Sequence, residues 1–135
     1  ALTAQNTTGV YGIEQTSDEF IANQLDCVFT DIFPDAVKIG MVYGNNSAKV
    51  IADKLNFYKA KNIVTDPVMV STSGSRLISE QGLENLKKYL LPISTLATPN
   101  VPEAEILSGI NIKNLQDMQN AAKIISDKYG WCRTL

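Results

Sequence analysis

The order of apolar and polar residues predicts a chain of alternating strands and helices. Short β-branched or alternating runs bounded by turn residues indicate strands. The predicted strands are Ala1–Gln5 (the end of a strand), Val10–Gln15, Ala36–Met41, Asn62–Asp66, Thr95–Thr98 and Trp131–Leu135.

Apolar residues at helical spacing fill the intervals between these strands. Thr16 and Glu19 have the spacing of a capping box, and Ser47 is placed to cap the next helix. Pro34 ends the first helix, and Gly109 closes a short helix at 102–108. The apolar positions of the longer helices are Phe20, Ile21, Leu25, Val28, Phe29 and Ile32; Val50, Ile51, Leu55 and Phe57 or Tyr58; Leu83, Leu86, Leu90 and Leu91; and Leu115, Met118, Ala122 and Ile125.

Strand and helix alternate four times, with connections short enough for crossover units. This alternation is typical of a parallel sheet covered by helices, so the predicted fold class is α/β. No repeat, low-complexity tract or linker interrupts the pattern. We therefore expect residues 1–135 to belong to a single domain.

The composition narrows the possible functions. The chain has 135 residues, 44% of them hydrophobic, with 12 basic and 14 acidic side chains. Intrinsic disorder is excluded, and a pI near 5.0 argues against a nucleic-acid partner. The chain has no histidine, which excludes within it Ser-His-Asp and Cys-His nucleophile pairs and HExxH zinc sites. Its chemistry must use carboxylates, amides, hydroxyls, backbone groups or thiols.

The two cysteines, Cys27 and Cys132, form no CxxC motif and indicate neither a disulfide scaffold nor a zinc site. Cys27 falls in an apolar helical pattern, which favours a small buried side chain over a reactive thiol. The sequence shows no signal-peptide pattern and no apolar run of membrane-spanning length. We therefore expect a cytoplasmic chain without membrane contact.

The residues that follow the predicted strands have the chemistry of a binding site. In an open parallel sheet, ligands bind beyond the carboxyl ends of the strands, so we expect these residues at one edge. They are Gln5-Asn6-Thr7, Gly40-Met41, Asp66-Pro67-Val68-Met69, and Thr98-Pro99-Asn100 with Glu103 one helical turn further on.

Three of these side chains suggest specific ligands. Asp66 and Glu103 are suited to organise Mg²⁺ and its water shell, because Mg²⁺ takes one or two carboxylates together with substrate phosphates. The amide of Gln5 has both a donor and an acceptor with which to recognise a heterocycle. The Ser/Thr/Gly stretch at 71–75 is most simply a mobile surface turn, although such a loop is also suited to fold over a phosphate.

Each candidate also has a structural interpretation. Asn100 and Glu103 match an N-cap with its first-turn acid, and this interpretation is favoured when the pair is taken alone. Asp66 can close a turn before proline. Met41 and Val68 belong to residue types found more often in a core than at a ligand. Convergence at one sheet edge favours the functional interpretation.

Four segments resemble the hydroxymethylpyrimidine/phosphomethylpyrimidine kinase family of thiamin biosynthesis, within the ribokinase-like superfamily. They are Ala1–Gly9 (ALTAQNTTG), Lys38–Met41 (KIGM), Asp66–Gly74 (DPVMVSTSG) and Thr98–Glu105 (TPNVPEAE). They occur in family order, and the resemblance extends over the whole chain. It implies a three-layer αβα, Rossmann-like fold with a mostly parallel sheet, incomplete at both ends.

The resemblance implies transfer of the ATP γ-phosphoryl group to a small hydroxymethylpyrimidine, followed by a second phosphorylation of the monophosphate. It also implies a homodimer. By position, Gln5 would hydrogen-bond the aminopyrimidine, with Met41 and Val68 lining its pocket. The residues that the resemblance assigns to Mg²⁺ and the ATP phosphates are Asp66 and Glu103, with Asn100 beside them.

Some features of the family are absent from this sequence. The family has a Gly-rich substrate segment upstream, and downstream a Lys-Gly-Gly stretch and a Gly-Thr-Gly-Cys-type loop that supplies the anion hole and the catalytic base. This chain contains no Gly-x-Gly, and Cys132 falls where the strand leading to the Lys-Gly-Gly stretch should begin. We therefore expect a central piece of the enzyme, with no catalytic base in this span and no turnover of its own.

Three alternatives stay open. Pyridoxal kinases of the same superfamily are the closest, although the stretch from Ala4 to Thr7 favours the pyrimidine enzymes. A non-catalytic flavodoxin-like module, such as a phospho-acceptor receiver domain, fits the length. However, a receiver needs an acidic pair after its first strand, and the first acid here is Glu14. The third alternative is a nucleotide-binding or regulatory domain that has lost catalysis.

Overall fold

The computed structural model describes residues 1–70 and 77–130, together with the backbone of Arg133 and Thr134. The strands are β1 (Leu2–Asn6), β2 (Gly9–Glu14), β3 (Val37–Ile39), β4 (Ile63–Thr65), β5 (Leu96–Ala97) and β6 (Arg133–Thr134). The helices are α1 (Asp18–Asp31), α2 (Ser47–Phe57), α3 (Glu80–Asn85), α4 (Val101–Ser108) and α5 (Leu115–Tyr129). The polar loop at 71–76 and Cys132 lie outside the described residues.

Four strands form a parallel sheet in the order β3-β4-β5-β6, which confirms the predicted α/β class. Because the strand order follows the chain, right-handed crossovers place the connecting helices on one face. Burial agrees with this, since Ile39, Thr65 and Ala97 are buried, whereas Lys38 and Val64 are more exposed. The described residues thus form the sheet and one helical layer of the expected three-layer arrangement.

The first two strands form a separate antiparallel hairpin, so the placement of the first strand in the parallel sheet was wrong. The physical reason is the connection, because only two residues separate Asn6 from Gly9, and parallel pairing needs a crossover of about a dozen residues or more. Asn6 Oδ1 holds the turn by accepting from the backbone N–H groups of Thr8 and Gly9, at 2.9 and 3.2 Å.

Two clusters of buried side chains make up the core. One joins α1, α2, β3 and β4, and the other joins the α3 region, β5, α4 and α5. The first contains Phe29, Ile39, Val42, Ala48, Ala52, Leu55, Ile63 and Leu90; the second contains Met69, Ile78, Leu86, Leu91, Ala97, Ala104, Leu107, Ile125 and Tyr129.

The apolar stripe predicted for α1 is buried over only part of its length. Phe29 is buried, but Phe20, Val28 and Ile32 are 55%, 51% and 75% exposed. The reason is that α1 packs mainly against α2, so only a narrow face of α1 is buried. Cys27 is exposed, so its assignment as a small buried side chain was wrong.

Two predicted helix caps lie one residue away from the observed ones. Ser17, not Thr16, caps α1, with its hydroxyl accepting from the Phe20 N–H at 3.2 Å. Ser47 is the first residue of α2 rather than its cap. Its buried hydroxyl instead lies 3.2 Å from Asp18 Oδ1, which ties the start of α2 to the start of α1.

The third predicted helix is real but changes its pitch. α3 passes into a π-helical turn at Leu86–Leu90 and then a 3-10 turn at Leu91–Ile93. Pro92 lies in the last turn, where it lacks the N–H that would continue the α-helical ladder. Over the described ranges, no helix is both long and apolar enough to cross a bilayer.

Candidate functional site

The carboxyl ends of β3, β4 and β5 are joined by backbone hydrogen bonds. The N–H of Asp66, just after β4, donates to the Ile39 carbonyl at the end of β3, at 2.8 Å. The N–H of Thr98, just after β5, donates to the Thr65 carbonyl at 3.1 Å. The segments that follow these three strands therefore start side by side, as the strand-end pattern predicted.

Asp66 lies at this edge and forms an ion pair with Lys38. Lys38 Nζ lies 3.1 Å from Asp66 Oδ2, and the two side chains are 68% and 31% exposed. Sequence reasoning missed Lys38 as a partner. The available signal was the period of β3, because a lysine between the apolar Val37 and Ile39 must face away from the core.

Glu103 is buried, and each of its carboxylate oxygens accepts a backbone hydrogen bond. Oε2 accepts from the Asn100 N–H at 2.9 Å, while Asn100 Oδ1 accepts from the Glu103 N–H at 3.0 Å. This capping box at the start of α4 confirms the structural interpretation of the pair. Oε1 accepts from the Met69 N–H at 3.1 Å. Glu103 thus fastens the segment after β4 to the helix after β5.

Met41 and Val68 are both half-buried. Met41 lines an apolar groove of about 440 Å³ that α1, β3 and α2 form together. Its other lining residues are Ile21, Gln24, Leu25, Val28, Val37, Lys38, Ile39, Gly40, Val42, Ile51 and Leu55. Val68 is not among them, so the structure does not bring Met41 and Val68 together in this groove.

Gln5 lies on the hairpin and not at the end of a sheet strand. It is exposed, and its amide makes no hydrogen bond to any residue that the structure describes. The pairing of β1 with β2 is irregular between Ala4 and Gln5, and such bulges change the direction of a side chain. The base of the hairpin adjoins the loop after β3, because a Cβ on Gly44 would lie 2.5 Å from Gln15 Nε2.

The loop after β3 is held from both sides. The Asn46 side-chain amide donates to Asp18 at the start of α1, at 3.1 Å. Asn45 Oδ1 accepts from the Ser79 hydroxyl at 2.9 Å, and the Asn85 amide donates to the Asn45 carbonyl. These bonds connect the start of α1, through the loop after β3, to the start and end of α3; the sequence analysis assigned no role to Asn45 or Asn46.

A sequence profile described as phosphomethylpyrimidine kinase matches residues 1–135. The chain belongs to the phosphomethylpyrimidine kinase family. It is 41% identical to the hydroxymethylpyrimidine/phosphomethylpyrimidine kinase of Bacillus subtilis, over 91% of this chain and 45% of that enzyme. The family match over residues 1–135 excludes the receiver-domain alternative.

Solved structures of kinases share the fold. The crystal structure of phosphomethylpyrimidine kinase from Clostridium difficile superposes with a TM-score of 0.85 at 44% identity, covering 93% of this chain and 55% of that one. The pyridoxal kinase from Staphylococcus aureus, in complex with pyridoxal, gives 0.79 at 33% identity, covering 93% and 45%. The expected ribokinase-like fold is thereby confirmed, and the chain spans about half the length of these members of the family and superfamily.

Proposed function

We propose that the protein containing this chain transfers a phosphoryl group from ATP to a hydroxymethylpyrimidine and to its monophosphate. The observation that supports the proposal is that backbone hydrogen bonds hold the carboxyl ends of β3, β4 and β5 side by side, in a chain of this family. The segments after β3, β4 and β5 begin side by side, and they start with Gly40, Asp66 and Thr98. Ligands of open parallel sheets bind beyond such strand ends.

The proposed pyrimidine site uses Gln5, Met41 and Val68. The exposed amide of Gln5 offers a donor and an acceptor to the polar edge of the ring, and the two half-buried side chains supply apolar contact. The hairpin that carries Gln5 adjoins the loop after β3 through Gln15 and Gly44. That position allows the hairpin to cover a ligand held at the sheet edge.

The proposed phosphate and Mg²⁺ site uses Asp66, Asn100 and Glu103. Asp66 fits a role as an Mg²⁺ ligand, because its side chain is partly exposed and no hydrogen bond to Oδ1 comes from a described residue. Both oxygens of Glu103 already accept backbone N–H groups, so it fits the surrounding water shell better than direct contact. Magnesium commonly takes one or two carboxylates together with substrate phosphates, and the carboxylates of Asp66 and Glu103 match this coordination preference.

The proposed chemistry is mainly positioning and charge neutralisation. Phosphoryl transfer passes through a loose transition state whose charge lies on the phosphoryl oxygens. A bound Mg²⁺ supplies neutralisation of that charge. The chain's own contribution is to fix the segment after β4, through the Glu103–Met69 hydrogen bond, and to hold the Asp66 carboxylate beside Lys38.

An ADP-release assay on the full-length protein tests the proposal. The acceptors are hydroxymethylpyrimidine, its monophosphate, pyridoxal and none. We expect ADP release with both pyrimidines that greatly exceeds the rate without acceptor. Absence of pyrimidine-dependent release, in protein that is folded by circular dichroism, would overturn the proposal.

Pyridoxal phosphorylation is the second candidate. The superposition on the Staphylococcus aureus pyridoxal kinase favours it, since that protein has a similar fold and carries pyridoxal in its structure. Pyridoxal turnover equal to or faster than pyrimidine turnover in the same assay would move the assignment to this second activity. The homodimer stays a prediction from the family resemblance, and the cytoplasmic location stays a prediction from the sequence pattern.

A further inference from the structure

An open cavity of about 520 Å³ lies away from the proposed active site. Its lining residues are Glu84, Lys87, Lys88, Pro92, Lys128 and Tyr129. Pro92 precedes β5 and Tyr129 precedes β6, so the cavity is at the amino ends of the strands. Asp66 and Asn100 follow their strands and lie at the opposite edge. The volume falls in the range of about 300–1,000 Å³ that is typical of small-molecule sites.

The cavity has an excess of positive charge. Lys87 Nζ is paired with Glu84 Oε1 at 3.0 Å. Lys88 and Lys128 have no carboxylate partner among the residues that the structure describes. Lys128 Nζ lies 5.4 Å from the ring centroid of Tyr129, and it donates a hydrogen bond to the Leu107 carbonyl at 3.4 Å. Lys88 Nζ in turn lies 5.0 Å from the ring centroid of Tyr89. Within the described part of the chain, no carboxylate therefore neutralises these two ammonium groups.

The hydroxyl of Tyr129 is the second, independent feature. The residue is 8% exposed, and its hydroxyl has no hydrogen-bond partner within the described ranges. A buried hydroxyl without a partner is costly and uncommon in folded proteins. Burial raises the pKa of Tyr129, the charge of Lys87 lowers it and that of Glu84 raises it. The hydroxyl therefore senses two charged groups that line the same cavity.

We propose that this cavity binds the phosphate group of a small molecule, between Lys88 and Lys128, with the Tyr129 hydroxyl as a donor. A phosphate dianion matches two uncompensated ammonium groups, and it accepts the hydrogen bond that the phenol otherwise lacks. The site is separate from the proposed kinase site and does not depend on that function.

Calorimetric titration of the full-length protein tests the proposal, with inorganic phosphate and phenyl phosphate as probes at constant ionic strength. Lys128→Met should raise the Kd about tenfold, the scale expected for losing a hydrogen bond to a charged group. Lys123→Met removes the same charge from an exposed position of α5 and should leave the Kd unchanged. Tighter binding of phenyl phosphate than of inorganic phosphate would identify an ester as the preferred ligand.

Tyr129→Phe separates a ligand role from a structural one. The phenyl ring keeps its place in the core, while the hydroxyl is lost. We expect weaker phosphate binding together with unchanged or higher stability to urea without ligand, because the lost group has no partner. The proposal is wrong if wild-type protein binds neither probe, if Lys123→Met weakens binding as much as Lys128→Met, or if Tyr129→Phe retains wild-type affinity.

Discussion

Lys38, in β3, forms an ion pair with Asp66 just beyond β4, with 3.1 Å between Nζ and Oδ2. The pair lies where the ends of two strands meet. It is also largely accessible to water, and exposed ion pairs contribute only about 0–1 kcal/mol to stability. The ion pair therefore positions Asp66 at the sheet edge while contributing little to the stability of the fold.

Asp66→Asn should separate activity from stability. We expect the free energy of unfolding to change by less than about 1 kcal/mol. Turnover of the full-length protein should fall about a hundredfold, because a neutral amide cannot replace the carboxylate near a metal-bound phosphate. Urea denaturation and ADP release measure the two effects. Lys38→Met serves as the control for loss of the ion pair, and an equal loss of turnover in both variants would contradict a distinct role for Asp66.

Gln5→Ala tests the proposed pyrimidine contact. The amide is exposed and makes no hydrogen bond to a described residue, so its loss should leave the stability to urea unchanged. The KM for hydroxymethylpyrimidine should rise about tenfold, the scale of one lost hydrogen bond to a bound ligand. Gln119→Ala, at an exposed position of α5, is the matched control. An unchanged KM in Gln5→Ala would remove the residue from the site.

Glu103→Gln should destabilise the protein. One of the two oxygens that accept from Met69 and Asn100 would become an amide nitrogen, which leaves one backbone N–H without an acceptor. We expect a loss of about 1–3 kcal/mol in the free energy of unfolding, measured by urea denaturation. Glu14→Gln, on the exposed face of the hairpin, should stay within about 0.5 kcal/mol of wild type. A Glu103→Gln variant as stable as that control would mean that the capping box is dispensable.

The strand ends were predictable from sequence, but the contacts between them were not. Asp66 and Asn100 follow apolar runs, and the edge rule for parallel sheets brings such residues together. The Lys38–Asp66 and Glu103–Met69 contacts join residues 28 and 34 positions apart, and neither side chain marks its partner in the local pattern. The hairpin could have been recognised, because Asn6 and Gly9 flank a connection too short for parallel strands.

Asp26 makes stability depend on acidity. Lys54 Nζ lies 2.7 and 2.6 Å from its two carboxylate oxygens, and the Tyr58 hydroxyl donates to Oδ1 at 2.8 Å. The Lys54 hydrogen bond, followed by that of Tyr58, lowers the pKa of Asp26 below its usual 3.8. As the pH falls, Asp26 is therefore protonated in the unfolded chain before it is protonated in the folded one. Its ionised carboxylate makes its full contribution to the free energy of unfolding above the unfolded-state pKa of 3.8. That contribution is lost as the pH falls through the lower pKa of the folded state.

Asp26→Asn should thus be less stable than wild type at about pH 6, with the difference narrowing towards about pH 2.5. Urea midpoints across that range measure it. Asp31→Asn is the control, because Asp31 is an exposed aspartate of α1 that forms no ion pair with a described residue. A difference between Asp26→Asn and wild type that stays constant with pH would show that the carboxylate charge is not what matters.

Three glycine substitutions can separate backbone strain from crowding in the loop after β3. Gly44 has a φ of 115°, and an added Cβ would lie 2.5 Å from Gln15 Nε2 and 2.7 Å from Ser47 Oγ. Gly109 has a φ of 81° and open space around it, whereas Gly40 has neither constraint. Gly40→Ala should therefore be neutral in urea denaturation. Gly109→Ala should cost about 1–2 kcal/mol for the left-handed backbone alone.

Gly44→Ala should cost more than Gly109→Ala, because in addition to a left-handed backbone it crowds the buried Ser47 hydroxyl, which is held by hydrogen bonds to Asp18 and to the Tyr43 carbonyl. Ser47 Oγ lies 3.2 Å from Asp18 Oδ1, four residues after the end of β2 at Glu14, so moving Ser47 should also shift the hairpin relative to the sheet edge. In the full-length protein we therefore expect Gly44→Ala to raise the KM for hydroxymethylpyrimidine, while Gly109→Ala leaves it unchanged. Equal destabilisation by the two variants, with equal KM values, would show that the loop after β3 does not fix the position of the hairpin.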